Sequence, residues 1–541
     1  MLEKPVTDSK TLPAFSVREP KLIVDVPPVA SIKAVDIKYP LLLKLAYAHI
    51  EWKSGKKQLV YSVVEPRLTE AEKNKLEAIK TRLAEKIDVS SSVFRDTKQS
   101  IDYLKEKLTD IVEDESITFI GNEYRKIMYY IFRDFVGLNE IEPIMHDPNV
   151  EDIGCPGIGL PVYIVHRRFG SLETNIYFHD AEYANNFVIK LAEKCGKYVS
   201  YALPLLDGSL PDGSRVQASL AKDVTTRGPT FSIRRFRKNP FSPTDLIKMG
   251  TSSTKMMAYL WLAIEHGTSM LICGGSSTGK TALLNSISIF IRPEKKVISI
   301  EDTREINIPH KNWIPAVTRT GFGLLESGGK RYGEITLFDL LKESFRMKPD
   351  YAIVGEIRGE EAYVMFQGMA SGHSSLGTMH AASVDDIIKR LTTPPIELSP
   401  TLIEALDYVI IMTNAKEKGE SARRVKNIFE IQSVDSETSK AHTIKLFYWI
   451  PATDEFRDSI QQSEVVRRIS FKTGISYNAL MKEIDDREKV LSWLYENETF
   501  DLFAVASAIN LYYKDKDSIM RLVLNKIPIR STEAKRILEA A

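Results

Sequence analysis

The sequence predicts an α/β protein whose larger domain is built on a mostly parallel sheet. In the second half of the chain, short apolar segments alternate with helical stretches, the pattern of parallel strands joined by crossover helices. The predicted strands are Met270–Cys273, Val297–Ile300, Tyr351–Val354 and Tyr408–Met412. A smaller mixed α/β domain precedes this one, because residues 139–238 combine short strands with Asp-Gly turns. Helical periodicity predicts helical extensions at both ends of the chain.

Length, charge and cysteine content restrict the class of protein. At 541 residues the chain is too long for one core, and two to four domains are expected. Lys and Arg total 73 against 72 Asp and Glu, so the net charge of +1 gives no general case for a nucleic acid or an anionic membrane. The three scattered cysteines suggest neither a disulfide framework nor a zinc site, and a reducing, cytoplasmic setting fits best.

The sequence has no segment with the properties of a membrane span. No apolar run approaches the roughly 18 residues that cross a bilayer. Glu3, Lys4 and Pro5 occupy the region where a signal peptide would be apolar. Any membrane association is therefore expected to be peripheral and to depend on a partner.

The N-terminal region is predicted to be an arm followed by a partly helical region. Residues 1–33 hold five prolines and little periodicity, which predicts a flexible arm. In the region 34–138, Gln58–Val64 has strand character. A helix over Thr69–Ile87 begins with Thr69 and Glu72, which form a plausible capping box. Further helices are predicted over Ser100–Gly121 and Asn122–Val136.

The middle of the chain is predicted to change from the mixed domain to the parallel-sheet domain at a proline-rich hinge. Turns are expected at Asp207-Gly208 and Asp212-Gly213. Residues 239–245 contain Pro240 and Pro243 and form the expected hinge. The parallel-sheet domain then covers residues 246–450, and a helical tail covers 451–541. The predicted strands of the mixed domain are Val162–Val165, Ser171–Phe178, Val216–Ala218 and Thr230–Ile233.

The most informative motif follows the strand Met270–Cys273 and fits the phosphate-loop pattern G-x-x-x-x-G-K-[ST]. Its residues are Gly274, Gly275, Ser276, Ser277, Thr278, Gly279, Lys280 and Thr281. The next residues have helical spacing, so backbone N–H groups and the helix dipole would converge on a polyphosphate. Lys280 would reach the β- and γ-phosphates, and the Thr281 hydroxyl would bind Mg²⁺. The motif predicts that the protein binds a nucleoside triphosphate, against the alternative of a chance glycine-serine loop.

Two later predicted strands end in carboxylates. Glu301 follows Val297–Ile300, and Glu356 follows Tyr351–Val354 after one glycine. Ligands of open α/β sheets bind at the carboxyl ends of the strands. Glu301 could therefore polarise an attacking water, and Glu356 could hold the Mg²⁺ shell. The alternative is that these acids are solvated residues opening loops.

Two histidines, His373 and His380, lie in a glycine- and serine-rich segment. A neutral imidazole could sense a γ-phosphate or bridge it to a neighbouring subunit. The alternative is an ordinary structural hydrogen bond. Their spacing of seven residues excludes a helical H-x-x-x-H metal pair.

Together these four segments resemble the type II/IV secretion system ATPase superfamily of GspE, PilB and VirB type. Glu301 lies in what looks like the Asp box, Glu356 in an atypical Walker B motif, and His373 and His380 in the His box. Segments such as Leu210–Val216 and Ser232–Phe236 resemble the archaeal branch, which includes pilus-assembly and archaellum motor ATPases. The likeness covers about residues 35–450. Lys348 stands where the family often has arginine.

The resemblance implies a RecA-like ATPase domain behind a PAS-like mixed domain, assembled as a homohexamer with the active site at the hinge. It implies ATP and Mg²⁺ as ligands. Arg215, Arg234 and Arg235 are the implied arginine-finger candidates, although they could instead be ordinary surface arginines. No nucleic acid is expected. The implied partner is a polytopic membrane platform protein and, through it, pilin-like subunits; the protein would be cytoplasmic and peripherally membrane-associated.

The function implied is an ATP-driven motor for pilus-like assembly or protein secretion. The alternatives are archaellum assembly or rotation and, less favoured, a RecA-like nucleic-acid translocase.

Overall fold

The computed structural model of the chain forms two compact units, Met1–Phe236 and Arg237–Ala541. The structure describes residues 5–6, 12–20, 31–87, 97–115, 117–220, 224–237, 239–325, 331–417, 420–438 and 440–539.

The first unit contains eleven strands and four α-helices within its described residues. They are β1 Pro5–Val6, β2 Asp36–Leu42, β3 Ala46–Lys53, β4 Gln58–Val64, α1 Glu70–Lys86, α2 Thr97–Asp114, β5 Phe119–Ile120, α3 Glu123–Ile131, β6 Val150–Cys155, β7 Pro161–His166, β8 Gly170–Tyr177, α4 Ala181–Lys194, β9 Leu205–Ser209, β10 Arg215–Ser219 and β11 Thr230–Arg234. A π-helical turn, Phe132–Val136, follows α3.

One sheet of nine strands organises the first unit, in the order β2-β3-β4-β8-β7-β6-β11-β10-β9. All neighbours are antiparallel except β4 and β8, which are parallel. The sheet crosses the boundary expected between residues 138 and 139, because strands from both sides share one ladder and one core. Helices α1, α2 and α3 form a second apolar cluster beside it.

Several local predictions for the first unit are confirmed. Helix α1 has the predicted capping box: the Glu72 N–H donates to Thr69 Oγ1 at 3.2 Å, and the Thr69 N–H donates to a Glu72 carboxylate oxygen at 2.7 Å. The strand Gln58–Val64 has the predicted bounds. The turn at Asp212-Gly213 also forms, with a positive φ of 91° at Gly213.

Three predictions for this unit were wrong in part. The helix expected over Ser100–Gly121 ends at Asp114, and a short strand follows it. Asp207-Gly208 lies inside β9, because pairing with β10 overrides the local turn tendency. Part of the expected arm packs on the unit, since Leu12 is buried and the Leu43 N–H donates to the Arg18 carbonyl at 2.9 Å. Most of the remaining arm lies outside the described residues.

The second unit alternates strands and helices before a helical C-terminal part. Its elements are α5 Pro243–Lys248, α6 Thr254–Glu265, β12 Met270–Gly274, α7 Lys280–Ser288, β13 Val297–Glu301, β14 Trp313–Val317, β15 Phe322–Leu325, β16 Arg331–Tyr332, α8 Leu337–Arg346, β17 Tyr351–Ile357, α9 Glu361–Ala370, β18 Ser374–Met379, α10 Val384–Thr392, α11 Pro400–Ile403, β19 Tyr408–Glu417, β20 Glu420–Val434, β21 Ala441–Ile450, β22 Glu455–Asp458, α12 Glu464–Thr473, α13 Tyr477–Glu496, α14 Leu502–Lys514, α15 Lys516–Leu524 and α16 Thr532–Glu539.

The sheet of the second unit has the order β14-β13-β17-β18-β12-β19-β20-β21-β22. Its first six strands are parallel and its last three add on antiparallel. The predicted α/β fold class is confirmed: a RecA-like parallel sheet follows a smaller mixed α/β unit. The expected hinge at 239–245 includes the start of α5, where Ser242 caps the helix and Pro243 takes its first position.

The C-terminal helices belong to the core of the second unit. Seven apolar residues at helical spacing in α13 and α14 are buried and share one cluster with Trp261 and Phe290: Leu480, Ile484, Leu491, Leu494, Leu502, Val505 and Ile509. The Trp261 indole N–H donates to the Tyr513 hydroxyl at 2.7 Å, and that hydroxyl donates to the Phe290 carbonyl at 2.6 Å. Arg487 pairs with Glu265 at the same contact. Residues 451–541 are therefore an integral layer of this unit.

None of the helices in the described part of the chain combines the length and the apolar character needed to cross a bilayer.

We expect Ile484→Ala to lower the free energy of unfolding by about 2–5 kcal/mol, because Ile484 is fully buried and its loss leaves a cavity in the shared core. Asp485→Ala, on the exposed side of the same helix, is the control and should change little. Urea denaturation of both variants measures the difference. Equal stability of the two variants would show that α13 does not belong to this core.

Candidate active site

The phosphate loop, residues 274–281, connects β12 to α7 as the motif requires. Gly274 has a φ of 157°, and a Cβ there would lie 2.6 Å from Thr278 Oγ1 and 2.7 Å from the Met412 carbonyl oxygen. Gly279 is the N-cap of α7 with a φ of 90°, and no side chain caps the first N–H groups of that helix. These donors need acceptors, and an anion at the helix N-terminus would supply them.

Lys280 is folded back onto this loop. Its ammonium donates to the Gly274 carbonyl at 3.2 Å and the Gly275 carbonyl at 2.8 Å, and the side chain is buried. Burial lowers the pKa of Lys280, and the charge of Glu356 acts in the opposite direction. The amine also lies 3.4 Å from His380 Nδ1. Lys280 therefore sits between the loop and the neighbouring strand ends, where a phosphate could replace the carbonyls as its partner.

Glu301 is the last residue of β13, and only 2% of it is exposed. Its Oε1 accepts the Glu305 N–H at 2.8 Å and the Ile306 N–H at 2.9 Å, whereas its buried Oε2 has no hydrogen-bond partner. Burial raises the pKa of Glu301 to about 7, against the effect of the two N–H groups. A carboxyl group with a pKa near 7 and one unused oxygen has the properties of a general base.

Gly355 makes room for this carboxylate. A Cβ at Gly355 would lie 3.0 Å from Glu301 Cγ and 3.4 Å from Glu301 Cβ, so any side chain would press on Glu301. The structure thus gives a steric reason for the glycine that precedes Glu356, and the sequence alone did not give this reason.

Glu356 faces the same edge of the sheet. Its carboxylate accepts a hydrogen bond from the Arg358 guanidinium at 2.6 Å and lies 3.2 Å from His380 Nε2. Burial alone would raise the pKa of Glu356, but the hydrogen bond and charge of Arg358, with His380 and Lys280, hold it below its ordinary value. Glu356 is therefore ionised at neutral pH and lies between Arg358 and His380, which in turn lies beside Lys280.

The structure separates the two predicted histidines. His380 follows the carboxyl end of β18, beside Lys280 and Glu356, and burial together with the charge of Lys280 lowers its pKa. His373 precedes the amino end of β18, with Nδ1 3.1 Å from the Pro349 carbonyl. A strand of six residues spans about 20 Å. Within one subunit, the prediction that His373 senses the γ-phosphate is therefore wrong.

The predicted metal ligands are compatible with Mg²⁺. Thr281 is the second residue of α7, and Glu356 supplies a carboxylate at the same edge of the sheet. The described part of the chain has no group of three or more His, Cys, Asp or Glu side chains placed to hold a metal. Such a group is not required, because Mg²⁺ in phosphoryl-transfer sites takes one or two protein oxygens and fills its shell with phosphates and water.

The three arginine candidates of the first unit differ from one another. Arg215 and Arg234 face each other across the β10–β11 ladder, and each pairs with an acid, Asp207 at 3.3 Å and Asp152 at 3.1 Å. Arg235 instead donates to the Met145 carbonyl at 2.6 Å, the Val150 carbonyl at 3.2 Å and the Asp147 carbonyl. Arg235 therefore holds together the loop before β6, whereas the other two have side chains at the surface.

Sequence reasoning missed three polar residues near the phosphate loop. The Arg358 guanidinium donates a hydrogen bond to the Glu356 carboxylate. Arg423, on β20, lies close to Gly279: a Cβ added at Gly279 would be 3.2 Å from Arg423 Cδ. Asn285 donates to the Glu305 carbonyl at 2.9 Å and accepts the Asn307 N–H at 2.8 Å, which fixes the loop behind Glu301. Asn285 could have been noticed as a polar residue among the apolar positions of α7, but nothing in the sequence pointed to Arg423.

A model of the family described as "Type II/IV secretion system protein" matches residues 167–465. An uncharacterized protein of Methanocaldococcus jannaschii is 35% identical over 84% of this chain and 85% of its own length. The type IV secretion system protein PtlH of Bordetella pertussis is 27% identical over 44% of this chain and 78% of its own. The ATPase DotB of Legionella pneumophila aligns in structure over 73% of this chain and 96% of its own, with 15% identity and a TM-score of 0.39.

Gly274→Ala is expected to weaken ATP binding by about tenfold or more, because the added Cβ collides with the Met412 carbonyl at a backbone angle that favours glycine. Gly275→Ala is the matched control, since its Cβ would approach only Thr278 Cγ2, at 3.8 Å. Titration calorimetry with ATP compares the two. Similar affinities would mean that the loop rearranges before it binds nucleotide.

Proposed function

This chain belongs to the type II/IV secretion system protein family, and we propose that it is an ATP-hydrolysing motor that powers assembly of a type IV pilus-like filament or protein secretion. The observation that carries the proposal is the convergence of Lys280, Glu301, Glu356 and His380 at the carboxyl edge of one parallel sheet. These groups supply a phosphate cradle, a base, a metal-binding carboxylate and a neutral imidazole.

The phosphate loop binds the triphosphate in this proposal. Its N–H groups and the open N-terminus of α7 donate to the phosphates, and Lys280 exchanges the Gly274 and Gly275 carbonyls for β- and γ-phosphate oxygens. Thr281 and Glu356 would hold Mg²⁺, and the bound metal would neutralise charge on the phosphates. Arg358 hydrogen-bonds the Glu356 carboxylate and helps to keep it ionised for that role.

Glu301 acts on the attacking water. Its unpaired Oε2 accepts a proton as the water oxygen bonds to the γ-phosphorus and the bond to the bridging oxygen breaks, which yields ADP and phosphate. The N–H groups of Glu305 and Ile306 hold the other carboxylate oxygen in place. His380 stays neutral because its pKa is lowered, so it can hydrogen-bond to the γ-phosphate.

The motor is proposed to work as a homohexamer whose first unit supplies an arginine to the transition state. Arg215 and Arg234 are favoured over Arg235, because the guanidinium of Arg235 is already engaged with three backbone carbonyls. In this proposal the motor acts on a polytopic membrane platform protein that handles pilin-like subunits. Co-purification of the two proteins from detergent extracts would measure their binding.

Replacing Glu301 tests the proposal. Glu301→Gln should retain ATP binding and lower hydrolysis by about 10²–10⁴-fold, because an amide cannot accept the proton of water. With a pKa of about 7 for Glu301, wild-type hydrolysis should fall about tenfold for each pH unit below 7, as the carboxylate becomes protonated. Phosphate release measured between pH 5.5 and 8.5 gives both results.

Glu360→Gln is the control, because Glu360 is exposed and lies just after β17. This variant should hydrolyse ATP normally. Near wild-type turnover of Glu301→Gln would transfer the role of the base to another group and contradict the proposed mechanism.

Arg215→Ala and Arg234→Ala are expected to lower hydrolysis, at least one of them by about 10³-fold, with little change in nucleotide affinity, because an arginine finger acts on transition-state charge. Arg235→Ala should instead lower the melting temperature of the first unit, since three backbone carbonyls lose their donor. Turnover, ATP affinity and thermal unfolding separate the two kinds of effect. Normal turnover in both variants would exclude Arg215 and Arg234 as the finger.

A further inference from the structure

A helical corner of the second unit, formed by α12 and the turn into α13, has a charge unlike that of the whole chain. The 18 residues 465–482 contain no Asp or Glu but carry Arg467, Arg468, Lys472 and Lys482. Elsewhere in the chain positive and negative residues balance almost completely. The imbalance is therefore local, and it coincides with one exposed feature of the fold.

Two apolar side chains project from the same corner. Phe471 is 94% exposed and Ile475 is 39% exposed, although α12 already buries Val465, Val466 and Ile469 against the core. The helix thus has a complete buried face, and Phe471 contributes nothing to it. Single exposed apolar residues are common, so the informative feature is the combination of Phe471 and Ile475 with the basic side chains around them.

The basic residues and Phe471 lie on the exposed side of α12, and Ile475 follows just after the helix ends. Arg467 and Arg468 come four and three residues before Phe471, so their side chains are its helical neighbours. Arg467 pairs with Glu464 and Arg468 with Asp407, yet the two arginine side chains remain 54% and 60% exposed. Lys472 is exposed beside them. We call the set Arg467, Arg468, Phe471, Lys472 and Ile475 the basic corner.

We propose that the basic corner binds an anionic membrane surface directly, with Phe471 inserted among the lipid headgroups. The residue types support this, because interfacial helices combine Lys and Arg with an apolar wedge and bind negatively charged lipid. Phe471 projects from the surface almost fully exposed, which suits a deformable bilayer better than a fixed protein pocket. This contact goes beyond the proposed function, in which the membrane is reached through a platform protein.

Vesicle co-sedimentation of the full-length protein tests the proposal without requiring hydrolysis. The protein should sediment with vesicles of phosphatidylglycerol and phosphatidylcholine, much less with phosphatidylcholine alone, and less again in 0.5 M salt. Arg467→Gln with Lys472→Gln should lower the partition coefficient about 25-fold, at about fivefold for each basic residue. Phe471→Ser should lower it about tenfold, since the apolar wedge is lost.

Matched variants elsewhere in the same unit are the controls. Lys342→Gln with Lys426→Gln removes two exposed positive charges, and Phe503→Ser removes a phenylalanine that is 50% exposed. Both should sediment like the wild type.

Three results would overturn the proposal. The first is equal sedimentation with neutral and anionic vesicles. The second is unchanged vesicle binding by the variants of the basic corner together with weaker binding of a protein partner or of DNA, which would assign the surface to that macromolecule. The third is that the Phe471→Ser protein forms a smaller oligomer than the wild type while its vesicle binding is unchanged. That result would make the basic corner a contact between copies of the chain.

Discussion

Parallel hydrogen bonding among β13, β17, β18 and β12 is the constraint on which the candidate site depends. Ile300 pairs with Val354, Val354 with Gly377, and Cys273 with Met379. This register brings the ends of the four strands level, so that Glu301, Glu356, His380 and the phosphate loop follow at one edge. A register shift of one residue would turn each of these side chains to the other face of the sheet. The chemistry of the site is therefore a consequence of strand pairing.

Small residues set how closely the parts of the site approach. Gly274 fits beneath Thr278 and the Met412 carbonyl, and Gly355 leaves the space that Glu301 fills. The result is a buried carboxyl group with one unsatisfied oxygen, an arrangement that costs stability unless water or a substrate completes it. Such a cost at a ligand-binding edge is the usual signature of a functional site. The large apolar core offsets it, and that core includes the C-terminal helices.

The C-terminal helices connect the surface of the second unit with the part of its core that packs against α7. Tyr513 ties α14 to Trp261 and to the Phe290 carbonyl, just beyond the end of α7. Glu430, on β20, accepts the N–H groups of Glu464 and Val465 and so caps α12. The helix that carries the basic corner is thereby fixed to the sheet that carries the phosphate loop.

The sequence by itself determined the strand–helix alternation, the phosphate loop and the two carboxylates, because each rests on periodicity or spacing within a few residues. It also predicted the capping box of α1 for the same reason. Only the tertiary structure decided that His373 lies at the opposite end of β18 from His380, that the Arg235 guanidinium donates to backbone carbonyls, and that Asp207-Gly208 lies within a strand. Those outcomes depend on which distant segments pair, and pairing is set by the packing of the whole sheet, which no local pattern records.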